Sequence, residues 1–119
     1  MDIVKQILYS KNKVEIKYPY KNTEGPSYFG EGELGDILSF GYAYVEQEDH
    51  FVDYVVASPL IVKKIIREID ETILTVDSPY IGFLWTGKIF ISDKVKNDHI
   101  IFSNTGFSVV LDLNLNRME

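Results

Sequence analysis

Residues 51–73, FVDYVVASPLIVKKIIREIDETI, carry the clearest structural signals in the sequence. The first part of this stretch, FVDYVVAS, is almost wholly apolar, which is typical of a central strand buried on both faces of a sheet. Ser58 and Pro59 then favour a helix start, because a serine hydroxyl caps the first turn and proline lacks only an N–H that would be unpaired there. The sequence therefore predicts a buried strand that leads directly into a helix at about 58–71.

This predicted helix is strongly amphipathic. Apolar side chains recur at the spacing of one helical face, and charged side chains lie on or beside the opposite face. The apolar set is Ile61, Val62, Ile65, Ile66, Ile69 and Ile73, and the charged set is Lys63, Lys64, Arg67, Glu68 and Glu71. A broad apolar stripe of this kind indicates that the helix packs on the sheet.

Upstream of this stretch, the sequence predicts two more helices and one strand. A helical stripe of apolar residues predicts a second principal helix at about 34–47, although Gly41 disfavours it and the aromatic residues there would also suit a strand. Residues 2–10 predict a short helix that must dock on the core. The stretch 13–20, KVEIKYPY, alternates like a strand, and Pro19 confines that strand to a sheet edge or ends it.

Downstream, the chain alternates between strand and turn patterns. FLWTGKIFIS (83–92) predicts one strand with Gly87 at a bulge or a close approach, and DKVKND (93–98) predicts a polar turn. HIIFS (99–103) and FSVVLDLNL (107–115) predict the last two strands, joined by a tight hairpin connection. The order of elements predicts an α+β fold with a mixed, mostly antiparallel sheet, two principal helices and a C-terminal β ribbon.

Composition places the chain among ordinary globular proteins. Its 119 residues predict a single domain over 1–119, with 45% hydrophobic and 25% charged residues. It contains no Cys, which excludes disulfides, thiolate catalysis and thiolate metal sites. The net charge of −6 argues against binding to a phosphate backbone.

The sequence shows neither a secretory signal nor a membrane span. The start, MDIVKQILYSKNK, lacks the basic and apolar regions of a secretory signal. No run approaches the roughly 20 apolar residues of a membrane span. We therefore expect a soluble, cytosolic protein, with no membrane contact and no signal-dependent secretion.

Residues 21–33 form the best loop in the sequence, because they are dense in Gly, Pro and Ser. Tyr20, Tyr28 and Phe29 lie in or beside this segment. Local packing is the ordinary interpretation of such residues, whereas exposed aromatic side chains on a mobile arm are what a protein interface uses. The sequence thus predicts a flexible arm whose aromatic residues are interface candidates.

Residues that could carry chemistry are few. The two histidines each have aspartates nearby in sequence: Asp49 and Asp53 for His50, and Asp93 and Asp98 for His99. Such loops are more often solvated turns than zinc sites, which favour three or four firm ligands. The glycine run FGEGELG (29–35) lacks the Lys-Ser/Thr of a phosphate loop, and Trp85 beside two glycines favours core packing. We therefore predict no catalytic residue, cofactor, metal site or small-molecule substrate.

Three segments together carry a resemblance to a known family. They are DYVVASPLIVKKI (53–65), GFLWTGKIFISDKV (82–95) and DHIIFS (98–103). In this order they resemble a segment of tailed-phage major capsid proteins and the related encapsulins, over roughly residues 36–113. The matching positions are Val55, Val56, Ala57, Ser58 and Pro59, then Gly82, Leu84, Gly87, Ile89, Ile91 and Ser92, then Asp98 to Ser103. The resemblance implies an isolated domain of the axial type, whose loops meet around the symmetry axes of a shell.

Two functions follow as expectations. The first is a non-enzymatic phage-type structural or assembly protein that self-associates or docks on a larger shell. The second is a small acidic viral regulatory protein that inhibits a host protein, with a nucleic-acid mimic as one form. For the first, the predicted contact residues are Lys94, Lys96 and Asp98 in the polar turn, together with the three aromatic residues of the arm.

Overall fold

The computed structural model describes residues 3–18, 32–47, 50–69, 72–74, 81–104 and 106–113. These residues form three helices and seven strands. The helices are α1 (Ile3–Leu8), α2 (Gly32–Glu46) and α3 (Pro59–Glu68). The strands are β1 (Lys13–Lys17), β2 (Tyr54–Ala57), β3 (Thr72–Leu74), β4 (Gly82–Leu84), β5 (Gly87–Ile91), β6 (His99–Ser103) and β7 (Ser108–Asp112).

All seven strands belong to one mixed sheet with the order β1-β7-β6-β2-β5-β4-β3. Two of the six pairings, β1 with β7 and β2 with β5, are parallel, and the other four are antiparallel. The predicted α+β class, the mostly antiparallel sheet and the two principal helices are confirmed. The C-terminal ribbon is the β6–β7 hairpin, and β1 occupies a sheet edge, as the proline after it indicates.

Strand β2 lies at the centre of the sheet and is buried on both faces. Val55 and Ala57 face the layer of α2 and α3, whereas Val56 faces the layer of α1. All three residues have no exposed surface. The prediction of a fully buried central strand is confirmed.

The strands β5 and β6 do not pair with each other, although a short polar turn joins them. Strand β2 lies between them, parallel to β5 and antiparallel to β6. Residues 82–103 are therefore not one continuous ribbon. They contribute to the β4–β5 pair on one side of β2 and to the β6–β7 pair on the other.

Helix α3 begins as its sequence predicts. The Ser58 hydroxyl accepts a hydrogen bond from the Ile61 N–H at 3.3 Å, and Pro59 occupies the first turn. The helix ends earlier than expected, at Glu68, because Ile69 is already extended. Ile73, which the periodicity assigned to the helical stripe, lies in β3.

Residues 83–92 do not form the single strand that was predicted. The chain reverses at Trp85 and Thr86, so that β4 and β5 form a tight hairpin. Trp85 adopts a φ of 55°, a left-handed conformation that is uncommon for a residue with a side chain. The close approach predicted at Gly87 is present, because a Cβ there would lie 2.6 Å from the Tyr42 hydroxyl.

The predicted arm at 21–33 lies mostly outside the described residues. Its last two positions, 32 and 33, belong to α2, which starts two residues before its predicted boundary. The short N-terminal helix is observed as α1, with Ile7 buried against the sheet.

Gly41 of α2 is required by packing, although it weakened the helix pattern in the sequence. A Cβ at this position would overlap the ring of Phe102 on β6. Phe102 is fully buried in the core between the sheet and α2. The glycine therefore allows the helix to lie directly against the aromatic ring.

We predict that Gly41→Ala destabilises the protein by about 1–3 kcal/mol, because overpacking the Phe102 ring outweighs the better helix propensity of alanine. The matched control is Ala43→Gly at an exposed position of the same helix, which should cost about 1 kcal/mol through propensity alone. Denaturant unfolding of both variants measures the two effects. Stabilisation by Gly41→Ala would contradict the close helix–sheet contact.

Candidate interaction surface

The structure places the predicted contact residues of the polar turn at one side of the sheet. Lys94 and Lys96 are exposed, and Asp98 is half-buried at the end of the turn. Tyr20, Tyr28 and Phe29 lie outside the described residues. Of the predicted interface, the described residues thus include the turn.

Hydrogen bonds at both ends hold the turn against the sheet. The Ser92 N–H donates to the carbonyl of Ala57, the last residue of β2, at 3.0 Å, and the Ser92 hydroxyl accepts from the Lys94 N–H at 3.2 Å. At the other end, the Asp98 carbonyl accepts from the Leu113 N–H at 2.7 Å. Val95 is buried against the core on the α1 face. The turn is thus a fixed platform from which two lysine side chains extend.

Beside this platform lies a groove of about 500 Å³. Four parts of the fold line it: the end of α1, strand β1, the turn, and the α1 face of β6 and β7. Its lining residues are Leu8, Tyr9, Lys13, Glu15, Lys94, Val95, Lys96, His99, Ile101 and Val110. The turn and the N-terminal elements, distant in sequence, therefore form one surface.

The groove is rich in positive charge although the chain is acidic overall. Three lysines line it against one glutamate, in a protein of net charge −6. The Lys13 ammonium donates a hydrogen bond to the Leu8 carbonyl. Among the described residues, neither Lys94 nor Lys96 forms an ion pair. Their charges are therefore available to an acidic partner.

Tyr9 adds an exposed aromatic residue to the edge of this groove. Its side chain is 69% exposed, the most of any large hydrophobic residue described. Sequence patterns missed Tyr9, Lys13 and Glu15 as site residues, because each fits an ordinary helix end or edge strand. Only the parallel pairing of β1 with β7 brings them to the turn.

His99 lies beside Asp98, one of the two aspartates that its sequence position suggested, and beside two residues of other strands. Its Nε2 lies 3.8 Å from the Asp98 carboxylate, and its side chain is only 15% exposed. Glu15 and Asp112 also approach it, so that one ligand atom from each of the three side chains lies within 4.8 Å of the others. Among the described residues this is the one set of three or more with metal-ligand spacing, and it does not include Asp93.

His50 lies on the opposite face of the sheet from His99. Its ring packs edge-on against Phe107 at 5.2 Å and lines a second groove, of about 490 Å³, with Tyr44 and Val109. The two histidines therefore cannot act on one ligand.

Trp85 belongs to the packing of the β4–β5 hairpin. Its ring contacts Tyr42 edge-on at 4.8 Å, and it is half-buried against the main core. The Tyr42 hydroxyl donates to the Leu84 carbonyl and accepts from the Gly87 N–H at 3.2 Å. Tyr42 thus joins α2 to both ends of the hairpin turn, and the only tryptophan covers it.

The chain matches no family model, no curated protein and no solved structure. Within the described ranges, none of the helices combines the length and apolar character that crossing a membrane requires.

We predict that the protein loses stability above about pH 10 because of Tyr42. Burial raises the pKa of the Tyr42 phenol above its ordinary value of 10.0. The unfolded chain therefore releases this proton at a pH where the folded chain retains it. The free energy of unfolding should fall by up to about 1.4 kcal/mol per pH unit in this range.

Denaturant unfolding between about pH 9 and pH 11 tests the assignment with two variants. Tyr42→Phe should remove this part of the pH dependence and cost about 1–3 kcal/mol at neutral pH, because the Gly87 N–H and the Leu84 carbonyl lose their partner. Tyr44→Phe, at a half-buried position of the same helix, should leave the pH dependence in place. An unchanged alkaline slope in Tyr42→Phe would refute the role of its buried phenol.

Proposed function

We propose that this chain is a non-enzymatic structural or assembly protein that acts through protein–protein contacts, as its resemblance to a phage capsid axial domain implies. It would act in the host cytoplasm or in a virion. The three segments that carry the resemblance supply four neighbouring strands, β6, β2, β5 and β4, and the start of α3. Their association in one compact unit supports the proposal.

The observation that carries the proposal is the fixed turn at 92–98 with its exposed lysines. Backbone hydrogen bonds and buried Val95 hold it in place, so a partner would bind it with little loss of conformational entropy. Exposed Tyr9 supplies an aromatic contact of the kind enriched in interfaces. Both features lie on the same groove.

A second copy of the chain is the partner that the charges favour. The groove carries Lys13, Lys94 and Lys96, whereas the end of α2 carries Glu46, followed in sequence by Glu48 and Asp49. Because α2 and the groove lie on opposite faces of the sheet, this contact joins two different surfaces. Contacts of this head-to-tail kind generate closed rings or open arrays.

We expect the purified chain to associate with itself in a concentration-dependent manner. The double variant Lys94→Glu/Lys96→Glu should raise the dissociation constant of this association by at least about tenfold. The matched control is Lys63→Glu/Lys64→Glu, which makes the same change in net charge on the exposed face of α3. Size-exclusion chromatography with light scattering at several protein and salt concentrations measures both.

A compensating variant sharpens the test. Glu46→Lys combined with Lys94→Glu/Lys96→Glu should restore part of the association, since it lowers the negative charge at the end of α2 that would face the reversed groove. A wild-type chain that stays monomeric at every concentration would reject self-assembly. If that monomer instead binds a host protein, the function is that of the acidic regulatory protein. If Lys94→Glu/Lys96→Glu and Lys63→Glu/Lys64→Glu weaken association equally, the turn does not lie in the interface.

A further inference from the structure

Three adjacent strands each place one metal-ligating side chain on the same face of the sheet. His99 and Asp112 are direct partners across the β6–β7 pair. Glu15 on β1 lies opposite Val110, two residues before Asp112 on β7. Alternation along the strands puts all three on the α1 face, which also carries Ile101 and Val110.

The donor set suits a transition metal better than a hard cation. It consists of one imidazole nitrogen and two carboxylates, which are ligands for zinc and similar divalent ions, whereas calcium and magnesium favour oxygen alone. Around a tetrahedral zinc ion, donor atoms lie roughly 3.4 Å apart, as follows from bond lengths of about 2.0–2.2 Å. The observed donor atoms lie within 4.8 Å of one another, and Glu15 is exposed and can rotate inward.

The two carboxylates of the cluster favour a cation, although three lysines line the same groove. Two carboxylates held this close repel each other, and a divalent ion relieves that repulsion. Lys13 is the lysine that β1 contributes to this groove. Its ammonium donates a hydrogen bond to the Leu8 carbonyl at the end of α1. Apolar side chains beside the cluster, Val95, Ile101 and Val110, strengthen charge interactions by limiting water on that side.

We propose that Glu15, His99 and Asp112 bind one divalent transition-metal ion of the zinc class. The ion ties edge strand β1 to β7 and β6. Three protein ligands leave at least one coordination position for water or another small ligand, as in open zinc sites. Because Glu15 and His99 line the groove, that position is expected on the groove side. The site does not depend on self-association of the chain.

Titration of the tag-free full chain with Zn²⁺, in competition with a chromophoric chelator, tests the proposal. We expect one equivalent of Zn²⁺ to bind, and Ca²⁺ at the same concentration not to compete. Loss of a residue that only hydrogen-bonds to a metal ligand already weakens metal binding by about 10–100-fold. Glu15→Gln and His99→Gln change ligands themselves, so each should weaken Zn²⁺ binding by at least about tenfold. Glu15 is exposed, so Glu15→Gln should fold normally, which circular dichroism verifies.

Two matched variants separate this site from general binding to acidic or imidazole groups. Glu68→Gln changes an exposed glutamate on α3, and His50→Gln changes the histidine on the other face of the sheet. Both should bind Zn²⁺ like the wild type. The Co²⁺ complex should show absorption bands that Glu15→Gln loses. Absence of stoichiometric binding, or equal losses in Glu15→Gln and Glu68→Gln, would overturn the proposal.

Discussion

The structure depends on one constraint: strand β2 lies between β5 and β6 and pairs with both. Its four residues are parallel to β5 and antiparallel to β6, and Val55 and Val56 bury their side chains on opposite faces. Both core clusters include residues of this strand. An apolar strand of this kind is stable only when helices cover both faces, as α1 on one side and α2 with α3 on the other do here.

The same constraint creates the candidate interaction surface. Because β2 separates β5 from β6, the connection between them must cross two strand spacings, or roughly 10 Å. A two-residue hairpin turn cannot do this, so residues 92–98 form a longer connection that passes the end of β2. The hydrogen bond from Ser92 to Ala57 fastens it there. The position of Lys94 and Lys96 is therefore a consequence of strand order.

Local patterns in the sequence predicted the elements better than their arrangement. The buried strand, the Ser58–Pro59 helix start and the edge position of β1 each depend on neighbouring residues, so they could be read directly. Strand order could not, because alternation identifies a strand without identifying its partner. The hairpin at Trp85 was missed because its residues fit a continuous strand. The approach of Glu15 to His99 and Asp112 has no local signal, since pairing of distant strands creates it.

Cross-strand nuclear Overhauser effects on the isotope-labelled chain test whether β2 lies between β5 and β6. We predict backbone contacts from Val55 to Ile89 on one side and to Phe102 on the other, with no direct contact between the backbones of β5 and β6. A β5–β6 hairpin, seen as direct contacts between Gly87–Ile91 and His99–Ser103 with β2 elsewhere, would contradict this prediction. Strand order, and with it the groove beside the turn, would then have to be revised.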